Sequence, residues 1–367
     1  MRKQSLELRV LQVLVSKRHR FMKGFLFLLS IAYRFAVVCY QLPYRFGWKR
    51  EKHLGVPIVC VGNIVAGGTG KTPFVQRLAK DLPEHIRLAI VSTAYRAQGV
   101  SHKDVMSTKD RYGREIPASY CGDEPFLLQK HLPHAAIYLS KDRKKALQVA
   151  RQQGAHIVIL DDGFQQKAIF KDSNVLVVSA QDPLGLGHYL PRGFLRESPK
   201  SFARADCICV TGPCMSQEEF TQIKNMLRSY TKAPIMGAKM RPLRIQGFVE
   251  GDLTQLQGKK VGLFCGIGKP QNYRKTVEDL GVDIVEELPV ADHATLSNKE
   301  LLSFAKAVGR KGGELILCTE KDFVKMQLSY YNGLPICYVE SELEVIYGKE
   351  HYEALRKRVA EMATQSR

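Results

Sequence analysis

A glycine-rich turn followed by Lys71 and Thr72 is the stretch of this sequence best suited to chemistry. Residues 57–74 read PIVCVGNIVAGGTGKTPF, so an apolar run precedes the turn and a helix-like segment follows it. Strand, loop and helix in this order are typical of a P-loop, where backbone N–H groups and a helix N-terminus surround phosphate oxygens. Lys71 would reach the β- and γ-phosphates of a nucleotide, and the Thr72 hydroxyl would ligate Mg²⁺. The predicted nucleotide-binding residues are Gly67, Gly68, Thr69, Gly70, Lys71 and Thr72.

Two neighbouring aspartates, Asp161 and Asp162, follow an apolar run further along the chain. The run is His156–Leu160, with the pattern of a buried strand. In a Walker B site a carboxylate leaves such a strand at its C-terminal end, beside the P-loop, and holds Mg²⁺ directly or through water. The sequence therefore predicts Mg–nucleotide chemistry, with Thr72, Asp161 and Asp162 as the metal-site residues.

The segments around these motifs alternate between strand and helix patterns. Further buried-strand patterns lie at residues 87–93, 136–139, 175–179 and 207–211. This alternation predicts an α/β fold of the P-loop NTPase type, with a mostly parallel sheet and helices on both faces. A break at Thr211–Cys214 introduces a smaller α/β domain, and residues 342–362 are predicted to form a terminal helix. The predicted segments are an N-terminal membrane-associating region (1–53), the P-loop core (54–212), the smaller domain (213–340) and the C-terminal helix region (341–367).

An apolar segment, Gly24–Tyr40, stands before the core. It has 17 residues, includes Arg34 and has basic residues on both sides. A spanning helix needs about 20 apolar residues, so the pattern favours a helix that lies in the interface of a membrane. A spanning helix, a secretory signal and a buried core helix remain open as alternatives.

Composition indicates a folded protein with an anionic partner. Lys and Arg total 55 against 36 Asp and Glu, which gives a net charge of +19. A membrane surface, a phosphorylated substrate and nucleic acid would all fit this charge. The sequence has no helix-turn-helix signature and no basic stripe with interleaved aromatics, so no nucleic-acid partner is expected. Nine cysteines without a C-x-x-C pair favour reduced core residues over a disulfide framework or a zinc site.

Seven motifs occur together in a familiar order. They are VGNIVAGGTGKTP at the P-loop, GDEP at 122–125, DDGFQ at 161–165, LPRGFLRES at 190–198, CGIGKP at 265–270, ADH at 291–293 and TEKD at 319–322. With the N-terminal apolar segment, this set resembles the tetraacyldisaccharide 4′-kinase family of lipid A biosynthesis. Val65 replaces the first glycine of the usual P-loop pattern, as is usual in that family. Gln166 stands where the family commonly has histidine.

The resemblance implies an activity, partners and further site residues. It implies ATP- and Mg²⁺-dependent transfer of the γ-phosphoryl group to the 4′-hydroxyl of an acylated glucosamine disaccharide 1-phosphate, at the cytoplasmic face of the bacterial inner membrane with its anionic leaflet. It assigns the role of base to Asp123, paired with His293. An orienting histidine makes physical sense because a carboxylate, with a pKa near 4, is a weak base toward an alcohol. Substrate contacts would come from Gln165, Arg192 and Arg196.

Two other functions remain open at this point. One is a P-loop kinase that acts on another membrane lipid or small-molecule hydroxyl, and the other is a basic regulatory ATPase or nucleic-acid-binding module. A GTPase is disfavoured because Lys321 and Asp322 are adjacent, which is the wrong spacing for the guanine-binding motif. The loop at 266–270 resembles a second phosphate loop, but Pro270 follows Lys269 where a P-loop has serine or threonine.

Overall fold

The N-terminal apolar segment forms one long helix, α1, at Arg20–Arg45. It lies within the residues that the computed structural model describes, namely 20–93, 104–109, 113–213, 215–268, 270–291, 294, 296–326 and 330–365. Large apolar side chains of α1 are exposed, with Phe21, Leu28 and Phe35 at 93%, 65% and 69%. By length and composition Phe21–Arg45 could cross a membrane. Such exposure excludes the buried core helix that the sequence left open.

The P-loop core consists of alternating strands and helices. They are β1 (Ile58–Gly62), α2 (Lys71–Lys80), β2 (Leu88–Ser92), β3 (Met106–Ser107), α3 (Ala118–Cys121), α4 (Asp123–His131), β4 (Ala136–Leu139), α5 (Arg143–Gln152), β5 (Ile157–Asp161), β6 (Ser173–Ser179), β7 (Cys207–Thr211) and α6 (Gln217–Arg228). The strand order is β7-β6-β1-β5-β2-β4-β3. All neighbours pair in parallel except β3 with β4. The predicted parallel α/β fold is confirmed.

The central strands are buried on both faces because helices cover both sides of the sheet. Every residue of β1, β2 and β5 is buried. One hydrophobic cluster is built around Phe164, Phe202 and Phe220, and another around Leu147 and Ile169. These two clusters fix the strands whose carboxyl ends provide the polar residues of the site.

The remaining elements follow in the chain, and their strands belong to the same sheet. They are β8 (Ile235–Gly247), β9 (Lys260–Cys265), α7 (Pro270–Glu278), β10 (Asp283–Pro289), α8 (Asn298–Arg310), β11 (Leu315–Cys318), α9 (Glu320–Phe323), β12 (Tyr330–Tyr331), β13 (Leu334–Tyr347) and α10 (Lys349–Gln365). Strand β8 pairs in parallel with β7. Among the other strands the order is β10-β9-β11-β13, all parallel, with β12 antiparallel to β13.

The chain forms two compact units. The first unit is Met1–Lys239 together with Val345–Arg367, and the second unit is Met240–Glu344. The functional segments predicted from the sequence, with boundaries at 53, 212 and 340, stay a prediction. The predicted terminal helix over 342–362 is wrong at its start, because residues 342–347 belong to β13. Val345, Ile346 and Tyr347 are β-branched or aromatic and suit a strand, and Gly348 separates them from α10.

Helix α10 packs on the P-loop helix α2 within the first unit. The Tyr352 hydroxyl donates to Asp81 Oδ2 at 2.6 Å across 271 positions of sequence. The Tyr352 ring meets Phe74 edge to face at 6.4 Å between ring centroids. A late segment of the chain therefore covers the helix that follows the P-loop.

Candidate active site

The P-loop has the backbone geometry that phosphate binding requires. Strand β1 ends at Gly62, and α2 begins at Lys71 after Gly70, whose φ of +82° is accessible to glycine. A Cβ placed at Gly67 or Gly68 would meet nothing within 4 Å. The outer side of the loop is therefore open, and phosphate oxygens can approach its backbone N–H groups closely.

Three side chains hold the loop from the side of the protein. The Asn63 amide donates to Thr69 Oγ1 at 3.0 Å, and the Thr211 hydroxyl donates to the Thr69 carbonyl at 2.8 Å. Gln165 Nε2 donates to the Asn63 carbonyl at 2.8 Å. The loop is thus fixed by its own chain, which lowers the ordering cost of ligand binding. The substrate contact predicted for Gln165 stays a prediction, while the structure places this side chain against the loop.

Asp161 emerges beside the P-loop because β1 and β5 are neighbours, with Val61 opposite Asp161. Its side chain is buried, and its Oδ2 accepts from the Ser92 hydroxyl at 3.1 Å. Its Oδ1 is also buried and has no hydrogen-bond partner within the described residues. Burial raises the pKa of Asp161 to about 6, although Lys71 acts in the opposite direction. A buried carboxylate oxygen without a donor calls for a cation.

Asp162 has a different environment from its neighbour. Its carboxylate oxygens lie 2.9 and 3.0 Å from Arg196 Nη1, and Oδ1 lies 3.6 Å from Lys71 Nζ. Burial alone would raise the pKa of Asp162, but Lys71 and Arg196 outweigh burial and hold the pKa below its ordinary value. Asp162 is therefore a charged carboxylate that pairs with two cations, Lys71 and Arg196, beside the P-loop.

The donor set fits Mg²⁺ held together with phosphates. Among the described residues, no group of three or more His, Cys, Asp or Glu could hold a metal ion by itself. Mg²⁺ commonly takes one or two protein oxygens and completes its shell with water and substrate phosphates. Asp161 offers its free Oδ1, and Thr72 places a hydroxyl in the first turn of α2.

Residues 188–197, here named the arginine segment, run along the P-loop. Ala66 N–H donates to the Phe194 carbonyl at 2.7 Å, and Arg196 N–H donates to the Ile64 carbonyl at 2.8 Å. Arg196 is thereby placed at Asp162. Arg192 lies in a turn closed by the Gly193 N–H and the Tyr189 carbonyl at 3.0 Å. There, burial and the neighbouring Arg192 lower the pKa of His188. Arg192 and Arg196, both predicted to contact the substrate, thus have different surroundings.

Asp123 is the first residue of α4, as its sequence position predicts. Its Oδ1 accepts from the Glu124 N–H at 3.1 Å. Helix α4 packs against α2, and the charge of Glu124 acts on Asp161, so the start of α4 faces the acidic pair. His293 lies outside the described residues, and its pairing with Asp123 stays a prediction.

The comparisons with known proteins agree on one family. The model of the family described as tetraacyldisaccharide-1-P 4′-kinase matches residues 22–360. The chain belongs to this family. It is 35% identical over 308 residues to the tetraacyldisaccharide 4′-kinase of Chlamydia abortus, covering 82% of each chain. It is 34% identical over 336 residues to that of Syntrophus aciditrophicus, covering 86% of this chain and 87% of the relative.

A solved member of the tetraacyldisaccharide-1-P 4′-kinase family shares the fold. The crystal structure of LpxK from Aquifex aeolicus in complex with ATP superposes with a TM-score of 0.72 and 26% identity, covering 93% of this chain and 99% of that one. The resemblance drawn from the seven motifs is therefore confirmed. The chain is an ATP-dependent kinase of lipid A biosynthesis, which sets aside the regulatory ATPase and the kinase of an unrelated acceptor.

Sequence reasoning missed the residues that hold the site together. Asn63, Ser92 and Thr211 each stand at the carboxyl end of a buried strand, where β1, β2 and β7 finish. Ligands of parallel α/β sheets bind at this edge, so a search for polar residues at strand ends would have found all three. Arg143, whose Nη1 donates to the Asp162 carbonyl at 2.5 Å, gave no such signal because it lies at the start of a helix.

Proposed function

We propose that the residues of this site divide the kinase reaction into three tasks. Thr72 and Asp161 hold Mg²⁺ with the nucleotide, Lys71 and Arg196 neutralise the phosphoryl oxygens, and Asp123 accepts the proton of the 4′-hydroxyl. Asp162 holds Lys71 and Arg196 together. The acceptor is the acylated glucosamine disaccharide 1-phosphate for which the family is named.

The contrast between the two aspartates carries this proposal. Asp161 has a buried oxygen without a hydrogen-bond partner in the described structure, whereas Asp162 is engaged by Lys71 and Arg196. The first is therefore the better metal ligand, and the second is a better holder of cations. When bound, Mg²⁺ supplies charge neutralisation at the nucleotide phosphates.

Charge at the mouth of the P-loop suits a loose phosphoryl-transfer transition state. Such a transition state spreads negative charge over the transferred oxygens and needs fixed positive groups more than covalent chemistry. Lys71 and Arg196 are both held by the carboxylate of Asp162, so they are oriented by the protein. In a loose transition state the acceptor proton leaves late, and a weak base such as Asp123 suffices, oriented by His293 as the family resemblance implies.

The acceptor reaches the site from a membrane. Exposed apolar side chains of α1, among them Leu28 and Phe35, would enter the cytoplasmic leaflet of the inner membrane. The basic residues that follow α1 would meet its anionic headgroups; they are Lys49, Arg50 and Lys52. The acyl chains of the substrate then remain in the bilayer while its sugar enters the site, with Arg192 as a contact for its 1-phosphate. No nucleic acid is required.

The test is transfer of ³²P from γ-labelled ATP to tetraacyldisaccharide 1-phosphate in detergent micelles. Asp161→Asn should raise the Mg²⁺ concentration that gives half-maximal rate by about tenfold or more, because a metal ligand loses its charge. Asp162→Asn should lower kcat and leave the Mg²⁺ requirement unchanged. Calorimetric titration of Mg–ATP checks both variants independently of turnover. Equal shifts in the Mg²⁺ requirement would contradict the division between the two aspartates.

The role of Asp123 is tested in the same assay. Asp123→Asn should abolish label transfer while calorimetry still shows Mg–ATP binding, because a base acts on the acceptor and not on the nucleotide. Lys130→Gln, at an exposed position near the end of the same helix, is the matched control. If Asp123→Asn weakened ATP binding as much as turnover, the assignment of Asp123 as the base would have to be withdrawn.

A further inference from the structure

One face of α1 follows the arginine segment along its length. Phe27 meets the His188 ring edge to face at 5.9 Å, and Arg34 lies 5.9 Å from the centre of the Tyr189 ring. Gln41 Nε2 donates to Glu197 Oε2 at 2.9 Å. Positions 27, 34 and 41 are seven residues apart, about two helical turns, so they share one face of the helix. The exposed apolar helix is therefore docked on the segment that contains both arginines of the site.

Glu197 is the most buried member of this contact. It is 2% exposed, and its Oε2 accepts from Gln41, from the Ser201 hydroxyl at 2.9 Å and from Arg204. The Arg204 guanidinium lies 4.0 Å from the centre of the Phe164 ring. A buried carboxylate is stable only when donors satisfy it, so the conformation at Glu197 depends on these three partners.

Glu197 directly follows Arg196 in the chain. The Arg196 backbone is fixed to Ile64 of the P-loop, and its guanidinium to Asp162. Tyr33 of α1 is close enough to interact electrostatically with both Arg196 and Glu197. A change in the position of Glu197 would therefore shift the adjacent Arg196, whose guanidinium is the cation at the P-loop.

We propose that Gln41 is a positioning residue for Arg196 and that docking of α1 on the arginine segment keeps Arg196 at Asp162. The inference rests on the proposed roles of Arg196 and Asp162 in phosphoryl transfer. It gives α1 a second task besides holding the protein at a membrane, because the seated helix completes the catalytic arrangement. The helix that meets the lipid surface is thereby coupled to the rate of the chemical step.

The experiment replaces Gln41 by leucine, which keeps the size of the side chain and removes its amide. Cys39→Ala, at an exposed position two residues earlier, is the matched control. Both are compared with wild type in kcat, KM for ATP, retention on vesicles of anionic lipid, and thermal unfolding. Because the buried Glu197 carboxylate loses one of its donors and Arg196 beside it is then less firmly held, Gln41→Leu should lower kcat about tenfold. Vesicle retention, KM for ATP and Cys39→Ala should match wild type.

Two polar replacements of Gln41 separate positioning from a general loss of structure. Gln41→Glu places two carboxylates face to face and should lower kcat further than Gln41→Leu. Gln41→Lys keeps a donor toward Glu197 and leaves its contacts with Ser201 and Arg204 in place, so most of the wild-type kcat should remain. A wild-type kcat in Gln41→Leu overturns the proposal. So does a loss that tracks release from vesicles, or an equal loss in Gln41→Glu and Gln41→Lys.

Failure of the inference can be distinguished from failure of the proposed function through Arg196→Gln. If Arg196→Gln keeps the wild-type kcat, the role of Arg196 itself is wrong. If Arg196→Gln is impaired and Gln41→Leu is not, the site is correct and α1 does not position it.

Discussion

The first unit has a glycine-rich loop between β1 and α2, and the second unit has one between β9 and α7. In the first, the space beside Gly67 and Gly68 is open. In the second, the Gly266 N–H donates to Asp322 Oδ2 at 2.8 Å, and a Cβ at Gly266 would lie 2.8 Å from Asp322 Oδ1. The second loop thus binds a carboxylate of its own unit through a backbone N–H group. The first loop is open on its outer side, where we propose that it binds the nucleotide phosphates.

The surroundings of Asp322 explain why the second loop is structural. Asp322 is 4% exposed and also accepts from the Thr319 hydroxyl at 2.6 Å and from Lys325 at 3.2 Å. Helix α7 begins at Pro270, which has no N–H to offer a ligand. The motifs CGIGKP and TEKD, far apart in the sequence, therefore form one internal contact. A Gly–Lys pair after a strand does not define a phosphate site unless its loop is left open.

The largest expected effect comes from replacing the lysines that follow these loop glycines, Lys71 and Lys269. Lys71→Ala should lower kcat by about 10²- to 10³-fold, because a cation is lost at the transferring phosphoryl group. Lys269→Ala should stay within about twofold of wild type, since Asp322 already accepts from the Gly266 N–H of its loop. Label transfer to the lipid measures both. Comparable losses in the two variants would mean that the second loop also serves the nucleotide.

A second prediction concerns stability. Asp322→Asn should lower the free energy of unfolding by about 2 kcal/mol, because charge-assisted hydrogen bonds of a buried group are weakened. Calorimetric affinity for Mg–ATP should remain that of wild type. Urea unfolding is the measurement, with Asp283→Asn, at the exposed start of β10, as control. A stable Asp322→Asn that binds ATP poorly would break the distinction between the two loops.

The smallest expected effect concerns two lysines with different surroundings, Lys325 of the second unit and Lys167 of the first. Lys325 is paired with Asp322, whereas burial, and next the charge of Arg204, lower the pKa of Lys167 to about 8. Between pH 8 and pH 10.5 the unfolded chain binds more protons at this position than the folded one, so the cost of burying this lysine falls as the pH rises. Relative to Lys167→Met, and with solvent screening of this partly exposed group allowed for, wild type should gain about 1 kcal/mol of stability between pH 7 and pH 9. Urea midpoints at both pH values measure it, and a constant difference would contradict the lowered pKa.

Local pattern was enough to predict the elements that contain the chemistry. Strand, glycine turn and Gly-Lys-Thr predicted the loop, and the apolar run before Asp161 predicted β5 beside β1. The sequence could not distinguish Asp161 from Asp162, because their difference comes from Ser92 and Arg196, which lie far away in the chain. The contact of Thr211 with Thr69 likewise follows from the order of the strands in the sheet. Spacing along the chain does not determine that order.

The start of the predicted C-terminal helix shows where local pattern is not enough. Residues 342–347, ELEVIY, contain glutamate and leucine and fit a helical pattern as well as a strand pattern. Pairing with neighbouring strands decides the outcome, and tertiary context overrides propensity. The predicted pair of Asp123 and His293 depends on a long-range contact of the same kind, which no local pattern can test.

The packing of α10 on α2 has a consequence for the order of events during synthesis. The second unit is an insertion, so residues 240–344 leave the ribosome between the two parts of the first unit. Until residues 349–365 follow, Phe74 and Asp81 lack their partner Tyr352. The nascent chain must therefore keep an incomplete nucleotide-binding unit soluble while the insertion emerges. Truncation before residue 349 would leave that unit permanently unfinished, although every motif of the site would be present.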